Sequence, residues 1–281
     1  MSSSYQQHVQ TVATAFDRAA ATYDAQYGSN ASMAWMRAEA LAAMQRCFPP
    51  GGRLLEIGCG TGQDALTLRQ AGFGIVATDI SPAMVQQAQA KAAAAGVADI
   101  RWHVLPAGRL GELLDAYGPA AFDGAYSNFG PLNGEPRLEP VAAALARLLR
   151  PAAALVATVM GRWCAWEIGW GLLHLRPRQA LRRLHTAATG GAANLAAPEG
   201  ALPVPTRFYT PGEFARPFAE AFAVQEVAAL PLLLPPPNLA HLWQRFPSLM
   251  QRLARAEPRL RGRRPFHSLG DHFLIVLRRR P

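Results

Sequence analysis

The sequence predicts an α/β fold with a doubly wound, mostly parallel sheet of seven strands. Short apolar segments of strand length alternate with helical segments between residues 53 and 160, which is the pattern of repeated βαβ units. Two more strand-like segments lie near the C-terminus. The chain has 281 residues, of which 50% are hydrophobic, so it can bury one large core.

Seven segments carry the apolar composition of buried strands. They lie at residues 53–57, 74–78, 100–105, 122–127, 154–160, 223–230 and 272–277. Helices are predicted at residues 64–70, 82–96, 110–116, 136–149 and 211–221, and onward from residue 239. The best marked helix start is Ser81-Pro82, because the serine hydroxyl can cap the first turn and proline suits its first position.

The order of these segments divides the chain into four regions. Residues 1–50 predict an N-terminal helical lid, and residues 51–160 hold the core of the sheet. The alternation stops there, and residues 161–205 predict a helical cap, inserted after the fifth strand, that binds substrate and ends in a Gly-, Ala- and Pro-rich loop. Residues 206–281 complete the sheet.

Charge is uneven along the chain, whose net charge is +9. Residues 1–130 carry 8 basic and 10 acidic side chains, whereas residues 131–281 carry 20 basic and 9 acidic ones. A basic half is typical of proteins that bind nucleic acid, an anionic surface or an acidic small molecule. Arginines that merely solubilise an apolar half explain the same composition, and we favour that interpretation.

The composition also limits where the protein can be located and whether it can bind a metal. No apolar run reaches the roughly 18 residues that cross a bilayer, and the N-terminus lacks the features of a secretory signal. The three cysteines, Cys47, Cys59 and Cys164, have spacings that suit neither a metal site nor a disulfide framework. We therefore expect a cytoplasmic protein with no membrane span and no bound metal.

A glycine-rich turn follows the first strand, with the pattern Glu56-x-Gly58-x-Gly60-x-Gly62. Several glycines at the end of a strand let the backbone approach a ligand closely and turn sharply into a helix. A dinucleotide-binding loop, Gly-x-Gly-x-x-Gly, would place its third glycine at Gln63. This departure disfavours a nicotinamide-dependent oxidoreductase.

The run from Leu54 to Gly62 instead resembles the first motif of the class I S-adenosylmethionine (SAM)-dependent methyltransferases, and Asp79 fits the second motif. The resemblance implies a Rossmann-like core at residues 51–160 that binds SAM and releases S-adenosylhomocysteine (SAH). In that family the acid of the second motif accepts hydrogen bonds from both ribose hydroxyls. An acid that only precedes a helix would look the same, but the glycine loop favours the functional role.

The resemblance assigns further cofactor contacts by position. They are Tyr23, Arg37, Glu56, Gly58, Cys59, Gly60, Gly62, Asp64, Asp79, Ile80, Met84, Ala107, Ser127 and Asn128. Glu56 is expected at the ammonium and Arg37 at the carboxylate of SAM, although Arg37 also fits a plain surface arginine. Ile80 and Met84 are expected against adenine, or as core residues. Tyr23 lies in a segment similar to the lid helix of the family's small-molecule branch. The alternative is that Tyr23 is a tyrosine buried in the core.

The fourth motif of the family is matched, whereas the third departs from its usual pattern. Residues 122–130 match the fourth motif, so Ser127 and Asn128 are expected where substrate meets cofactor. The third motif usually carries an Asp-Ala pair, but here it reads Pro106-Ala107. Proline has no side-chain acceptor, so adenine recognition must rest on the Ala107 amide or on another carboxylate.

The inserted cap supplies the predicted substrate contacts. Trp163, Trp166, Trp170 and His174 recur at spacings of three and four, which puts them on one face of a helix. This stripe predicts an aromatic substrate wall, although a stripe that faces the core has the same spacing. The remaining substrate candidates are Tyr27, Asn128 and Arg207, with Arg207, Arg176 or Arg178 available for an acidic group.

Methyl transfer needs a general base only when the nucleophile must lose a proton. His174 and Tyr23 are the predicted catalytic residues, with His103 as a further candidate base. The sequence thus predicts a methyltransferase acting on a small, largely apolar and possibly acidic metabolite. An RNA or protein methyltransferase is the first alternative, although no RNA-binding module is evident. An oxidoreductase and a non-catalytic SAM-binding protein rank lower, and the oligomeric state is left open.

Overall fold

The computed structural model describes residues 3–184, 191–198 and 200–281. Its main sheet has seven strands in the order β3-β2-β1-β4-β5-β9-β8. The strands are β1 (Arg53–Ile57), β2 (Gly74–Asp79), β3 (Ile100–Val104), β4 (Phe122–Ser127), β5 (Leu149–Met160), β8 (Phe222–Leu230) and β9 (His272–Arg279). All neighbours are parallel except β9, which is antiparallel to both β5 and β8. The predicted fold class is confirmed.

Helices cover both faces of this sheet. They are α1 (Ser3–Ala19), α2 (Tyr23–Tyr27), α3 (Ala31–Cys47), α4 (Gln63–Gln70), α5 (Pro82–Ala94), α6 (Leu113–Tyr117), α7 (Leu138–Leu148), α8 (Ala165–Leu173), α9 (Pro177–Ala180), α10 (Pro211–Ala215), α11 (His241–Arg245) and α12 (Pro247–Leu260). No helix among the described residues is both long and apolar enough to cross a membrane.

Two hydrophobic cores, one on each face of the sheet, hold the layers together. On β1 the side chains of Leu55 and Ile57 join one core, which includes α7 and α10, whereas Leu54 joins the other, which includes α3 and α4. Successive strand residues point to opposite faces, so a strand covered on both sides must be apolar throughout. This explains why the central strands read as continuous apolar runs.

The segment after β5 differs from the sequence prediction. It contains α8 and α9 as expected, but the stretch predicted as a loop forms an antiparallel hairpin of β6 (Gly191–Ala197) and β7 (Gly200–Thr206). Leu195 and Val204 of the hairpin bury against α1. Both hairpin strands are edges, where prolines such as Pro203 are tolerated, and packing on α1 outweighs the weak strand propensity of the segment.

Helix α10 is shorter than the predicted helix at residues 211–221. It begins at a capping box between Thr210 and Glu213, and continues as a 3-10 turn at Arg216–Phe218. Pro217 lies in that turn and cannot donate a backbone hydrogen bond, which ends the α-helix early.

Two sets of side-chain contacts, which we call anchors, fix α1 and α2 over the carboxyl edge of the sheet. The Asp17 carboxylate of α1 accepts from the Ser81 hydroxyl (2.5 Å) and the Ala83 amide (3.0 Å) at the start of α5. The Asp24 carboxylate of α2 accepts from the Thr61 hydroxyl (2.6 Å) and pairs with Lys91 (2.6 Å). The N-terminal helices are therefore tied to the glycine-rich turn and to α5.

Close packing inside the sheet gives a stability prediction. A Cβ atom added at Gly124 in β4 would lie 2.4 Å from the buried Phe48 ring, so Gly124→Ala should lower the free energy of unfolding by about 1–3 kcal/mol through overpacking. Urea unfolding followed by circular dichroism measures the change. Gly111→Ala is the matched control, because nothing lies within 4 Å of its added Cβ. Equal stability of the two variants would contradict the packing described.

Candidate cofactor and substrate site

The carboxyl ends of β1, β2, β4 and β5 open into a cavity of about 310 Å³. Helices α1 and α2 and the β6–β7 hairpin cover it, and ligands of doubly wound folds bind at this edge of the sheet. Many predicted site residues line it, namely Tyr23, Tyr27, Arg37, Gly58, Cys59, Gly60, Asp64, Asp79, Ile80, Met84, Ala107 and Asn128. Predicted residues from α2 to the position just after β4 therefore converge on one cavity.

The glycine-rich turn forms one wall of this cavity. Gly58, Gly60 and Gly62 have φ values of 76°, 50° and 78°, a left-handed conformation that favours glycine. A Cβ at Gly58 would lie 2.2 Å from Pro131, and one at Gly62 would lie 2.8 Å from Ala88, whereas Gly60 has nothing within 4 Å. Gly58 and Gly62 thus allow close packing, and Gly60 leaves open space beside the backbone.

Asp79 ends β2 and holds the turn in place. Its carboxylate accepts from the amides of Gly60 (2.8 Å) and Ser81 (2.9 Å). Burial raises the pKa of Asp79 to about 6, while these amide donors act in the opposite direction. Because each carboxylate oxygen has a second lone pair and Asp79 lines the cavity, this group fits a ribose diol.

Glu56 lies buried at the end of β1, and its side chain is short of partners. Burial and the nearby Asp64 raise the pKa of Glu56 well above its usual range. Among the described residues, no hydrogen bond reaches the buried Glu56 Oε2 atom. A buried carboxylate oxygen without a partner is costly, so a cationic group bound nearby would relieve that cost. The orphaned oxygen therefore fits a bound cationic group such as an ammonium.

A polar network joins α3, α4 and β4 at the cavity wall. Arg37 forms an ion pair with Asp64, and the Asn128 amide donates to the other Asp64 oxygen (2.8 Å). The Thr158 hydroxyl in turn donates to the Asn128 carbonyl (2.7 Å). Asn128 is thus fixed in one orientation where β4 reaches the cavity.

Several predicted cofactor residues act at a distance from the cavity surface. The Ser127 hydroxyl donates to the Ile57 carbonyl (2.9 Å) and is buried, so it ties β4 to β1. Gly62 packs on α5, and Glu56 lies beneath the turn.

Cys59 lines the cavity, and burial together with Asp79 and Glu56 raises the pKa of its thiol well above the usual range. The thiol stays neutral, which disfavours a nucleophilic role.

The predicted substrate wall on α8 requires correction, because Trp163, Trp166, Trp170 and His174 do not line the cavity. The Trp166 indole donates to the Leu233 carbonyl (3.2 Å), and the Trp170 ring packs against the exposed His174 (4.3 Å between centroids). Spacing predicted one helical face for all four residues, but only Trp166 and Trp170 lie in α8, and spacing could not show what they contact. The described geometry supports neither substrate contact by this stripe nor a base at His174.

Two other candidates also lie elsewhere. The exposed Arg207 guanidinium stacks over the Tyr209 ring (5.0 Å to the centroid) and does not line the cavity. His103 pairs with the Tyr117 hydroxyl (2.7 Å) at the β3 edge, and burial lowers its pKa. Tyr23, by contrast, lies at the cavity, and burial raises the pKa of its hydroxyl, which makes it a poor base.

His272, which was not among the predicted site residues, lines the cavity at the start of β9. Antiparallel pairing places it opposite Met160, at the carboxyl end of β5. The Asp271-His272 pair at the start of the last strand was the available signal. The apolar residues of α1 and the hairpin, such as Val12 and Val204, were missed because the hairpin itself was not predicted.

Residues 54–152 match a family described as a methyltransferase domain. Residues 54–152 form a methyltransferase domain. This agrees with the glycine-rich turn and Asp79, the two features from which the sequence predicts SAM as the cofactor. No curated protein matches the sequence.

Solved structures share the fold of this methyltransferase at low sequence identity. The [4+2]-cyclase SpnF is 17% identical, with 97% of each chain covered and a TM-score of 0.60. A SAM-dependent methyltransferase from Methanosarcina mazei is 16% identical, covering 85% of this chain and 97% of that one, with a TM-score of 0.55. Geranyl diphosphate C-methyltransferase from Streptomyces coelicolor A3(2) is 15% identical, covering 86% and 79%, with a TM-score of 0.54. These likenesses show the fold alone.

The electrostatics of Asp79 give a binding prediction. Asp79→Asn should weaken SAH binding about 10- to 100-fold, because charge-assisted hydrogen bonds are worth about 1.5–3 kcal/mol each. In the wild type, SAH affinity should fall as pH is lowered through about 6, where the raised pKa of Asp79 lets it take up a proton. Isothermal titration at several pH values measures both effects.

The control for this experiment is Asp115→Asn, which changes an exposed carboxylate of α6. It should bind SAH as the wild type does. An Asp79→Asn variant with wild-type affinity at every pH would contradict the assigned ribose contact.

Proposed function

We propose that this methyltransferase acts on a small, largely apolar metabolite enclosed beneath α1 and the β6–β7 hairpin. The observation that carries the proposal is the apolar roof of the cavity, formed by Val9, Val12, Phe16, Leu195 and Val204. Small-molecule sites are typically concave and mostly apolar, with a few polar groups that fix orientation. Bound SAM supplies an electrophilic methyl group, so holding the acceptor in line with it accounts for much of the rate.

We assign the cofactor contacts to residues that the cavity brings together. Asp79 receives the ribose, the backbone at Gly58 and Gly60 passes the methionyl part, and Glu56 faces the ammonium. Ile80, Met84 and Ala107 form the adenine side, and Asn128 marks the point where β4 meets the donor methyl. All of these residues except Glu56 line the cavity, and this supports the assignment.

An acidic group on the acceptor receives less support. Among the described residues, Arg37 is the one guanidinium that lines the cavity, and it already pairs with Asp64. It can still turn to the carboxylate of SAM, since its side chain is 27% exposed. We therefore propose an apolar acceptor and assign no arginine to an acidic substituent.

The cover over the cavity favours a small acceptor over RNA or protein. An RNA or protein acceptor needs an open approach to the donor methyl, whereas α1, α2 and the hairpin cover this cavity. The likeness to a [4+2]-cyclase means that the fold by itself does not fix the reaction. Transfer of a labelled methyl group distinguishes a methyltransferase from the non-catalytic and cyclase alternatives.

The test uses purified protein and SAM labelled in its methyl group. Incubation with separated small-molecule, RNA and protein fractions should place label in an apolar compound of the small-molecule fraction. Liquid chromatography with mass spectrometry identifies the product, and Asp79→Asn serves as the cofactor-binding control. Label confined to RNA or protein, or no label in any fraction, would refute the proposal.

The roof of the cavity gives a second test. Val9→Trp should raise the KM for the labelled acceptor about tenfold, a loss of about 1.4 kcal/mol in binding, because indole would fill part of the cavity. SAH affinity should change little. Gln10→Trp is the matched control, since Gln10 is exposed on the same helix. Equal KM values for the two variants would place the acceptor elsewhere.

A further inference from the structure

His272 begins β9, is buried and lines the cavity. The strand register aligns it with Met160 of β5 and Leu230 of β8, at the edge of the sheet that borders the cavity. Phe129 turns away from the end of β4 with a left-handed φ of 61°, and its ring meets the His272 ring edge-on (6.3 Å between centroids). His272 therefore lies beside the loop that follows Asn128.

Hydrogen bonding fixes the orientation of this ring. The His272 Nδ1 atom lies 2.8 Å from an Asp271 carboxylate oxygen, and because an ionised carboxylate only accepts, Nδ1–H donates. In the neutral ring, Nε2 then carries the lone pair. Among the described residues, no hydrogen bond reaches Nε2, although His272 is only 8% exposed and lines the cavity.

The Asp271 carboxylate is itself held in the charged state. Burial would raise its pKa, but the Arg183 guanidinium and His272 together hold that pKa well below its usual range. Arg183 pairs with Asp271 and with Glu167 (2.8 Å), and also donates to the Gly161 carbonyl (2.8 Å). These contacts fix Asp271 rigidly beneath the imidazole.

The charged and titratable groups around His272 come from four elements. They are Asp271 from the start of β9, Arg183 after α9, Cys164 and Glu167 at the start of α8, and Arg37 of α3, which lies over the Phe129 ring (4.7 Å). The group in direct contact with the imidazole is the Asp271 carboxylate. A negative charge on the Nδ1 side stabilises a proton taken up at Nε2.

We propose that His272, oriented by Asp271, is the general base of the methyl transfer, and that the acceptor is an apolar small molecule with a phenolic or enolic hydroxyl. The proposal rests on the methyltransferase function proposed above. The acceptor oxygen forms the new O–C bond, the S–C bond breaks with its electron pair on sulfur, and the hydroxyl proton moves to Nε2. Asp271 is a positioning residue that stabilises the imidazolium until solvent removes the proton.

The experiment compares His272→Gln with the wild type on the small molecule that the wild type methylates. Loss of a general base should lower kcat by about 100- to 10,000-fold. The acid limb of the rate–pH profile should disappear, while SAH affinity by isothermal titration stays unchanged. His241→Gln, at an exposed histidine of α11, should retain wild-type kcat. Nuclear magnetic resonance should show the methyl group of the product on oxygen.

A second variant separates positioning from packing. Asp271→Asn keeps the shape of the carboxylate, and nitrogen-15 resonances of labelled His272 should show loss of the fixed Nδ1–H form. A ring that kept this form in Asp271→Asn, a His272→Gln variant with wild-type kcat, or a product methylated on nitrogen, carbon or sulfur would overturn the proposal. A wild type that binds SAH but methylates no small molecule would instead refute the proposed function, so the two failures are distinguishable.

Discussion

Three backbone amides of the turn after β1 donate to the end of β2, and the rest of the site depends on these bonds. Gly58 and Cys59 donate to the Thr78 carbonyl (2.8 and 2.9 Å), and Gly60 donates to the Asp79 carboxylate (2.8 Å). Left-handed φ values at the glycines make this crossing possible. The turn then leads directly into α4, whose first residues include Asp64, so backbone geometry fixes the positions of two carboxylates.

Burial gives these carboxylates their chemical character. Glu56, Asp64 and Asp79 lie close together, yet among them only Asp64 has a guanidinium partner. Burial raises the pKa of Glu56 and Asp79, so each favours its protonated form in the folded protein. The folded state therefore loses stability as pH rises from the usual carboxyl pKa toward the raised one. A cationic cofactor reverses this effect because it favours the ionised form. The cofactor thus completes the charge balance of the site.

The sequence predicted what is contiguous and dictated by the backbone. The strand at residues 53–57, the glycine-rich turn and Asp79 follow each other closely, and the left-handed turn allows few residues besides glycine. The hairpin and His272 depend on pairing between distant segments. The hairpin forms because small and apolar side chains pack on α1, and His272 reaches the cavity because β9 runs antiparallel to β5. Local composition predicts neither the packing of the hairpin on α1 nor the pairing of β9 with β5.

The α8 stripe illustrates the limit of periodicity. Spacing of three and four correctly indicates a helix, but α8 spans Ala165–Leu173 and so includes only Trp166 and Trp170 of the four residues. Its indoles could pack on the substrate, on the Leu233 segment or on solvent-facing neighbours with the same spacing. The residue of α8 that matters for the proposed chemistry is instead Glu167, which holds Arg183 beneath Asp271. An acidic residue between two tryptophans gives no signal of that role in sequence.

The anchors of α1 and α2 connect the cofactor to the enclosure of the acceptor. Asp17 binds Ser81 and Ala83, next to Asp79, and Asp24 binds Thr61, next to Gly60. The helices that cover the cavity are therefore held by the turn and the helix start to which we assign the methionyl part and the ribose. A cofactor that stabilises the turn also stabilises these anchors, since the two sets of bonds share neighbouring backbone. The apolar roof of the cavity is therefore anchored to the glycine-rich turn and to the start of α5.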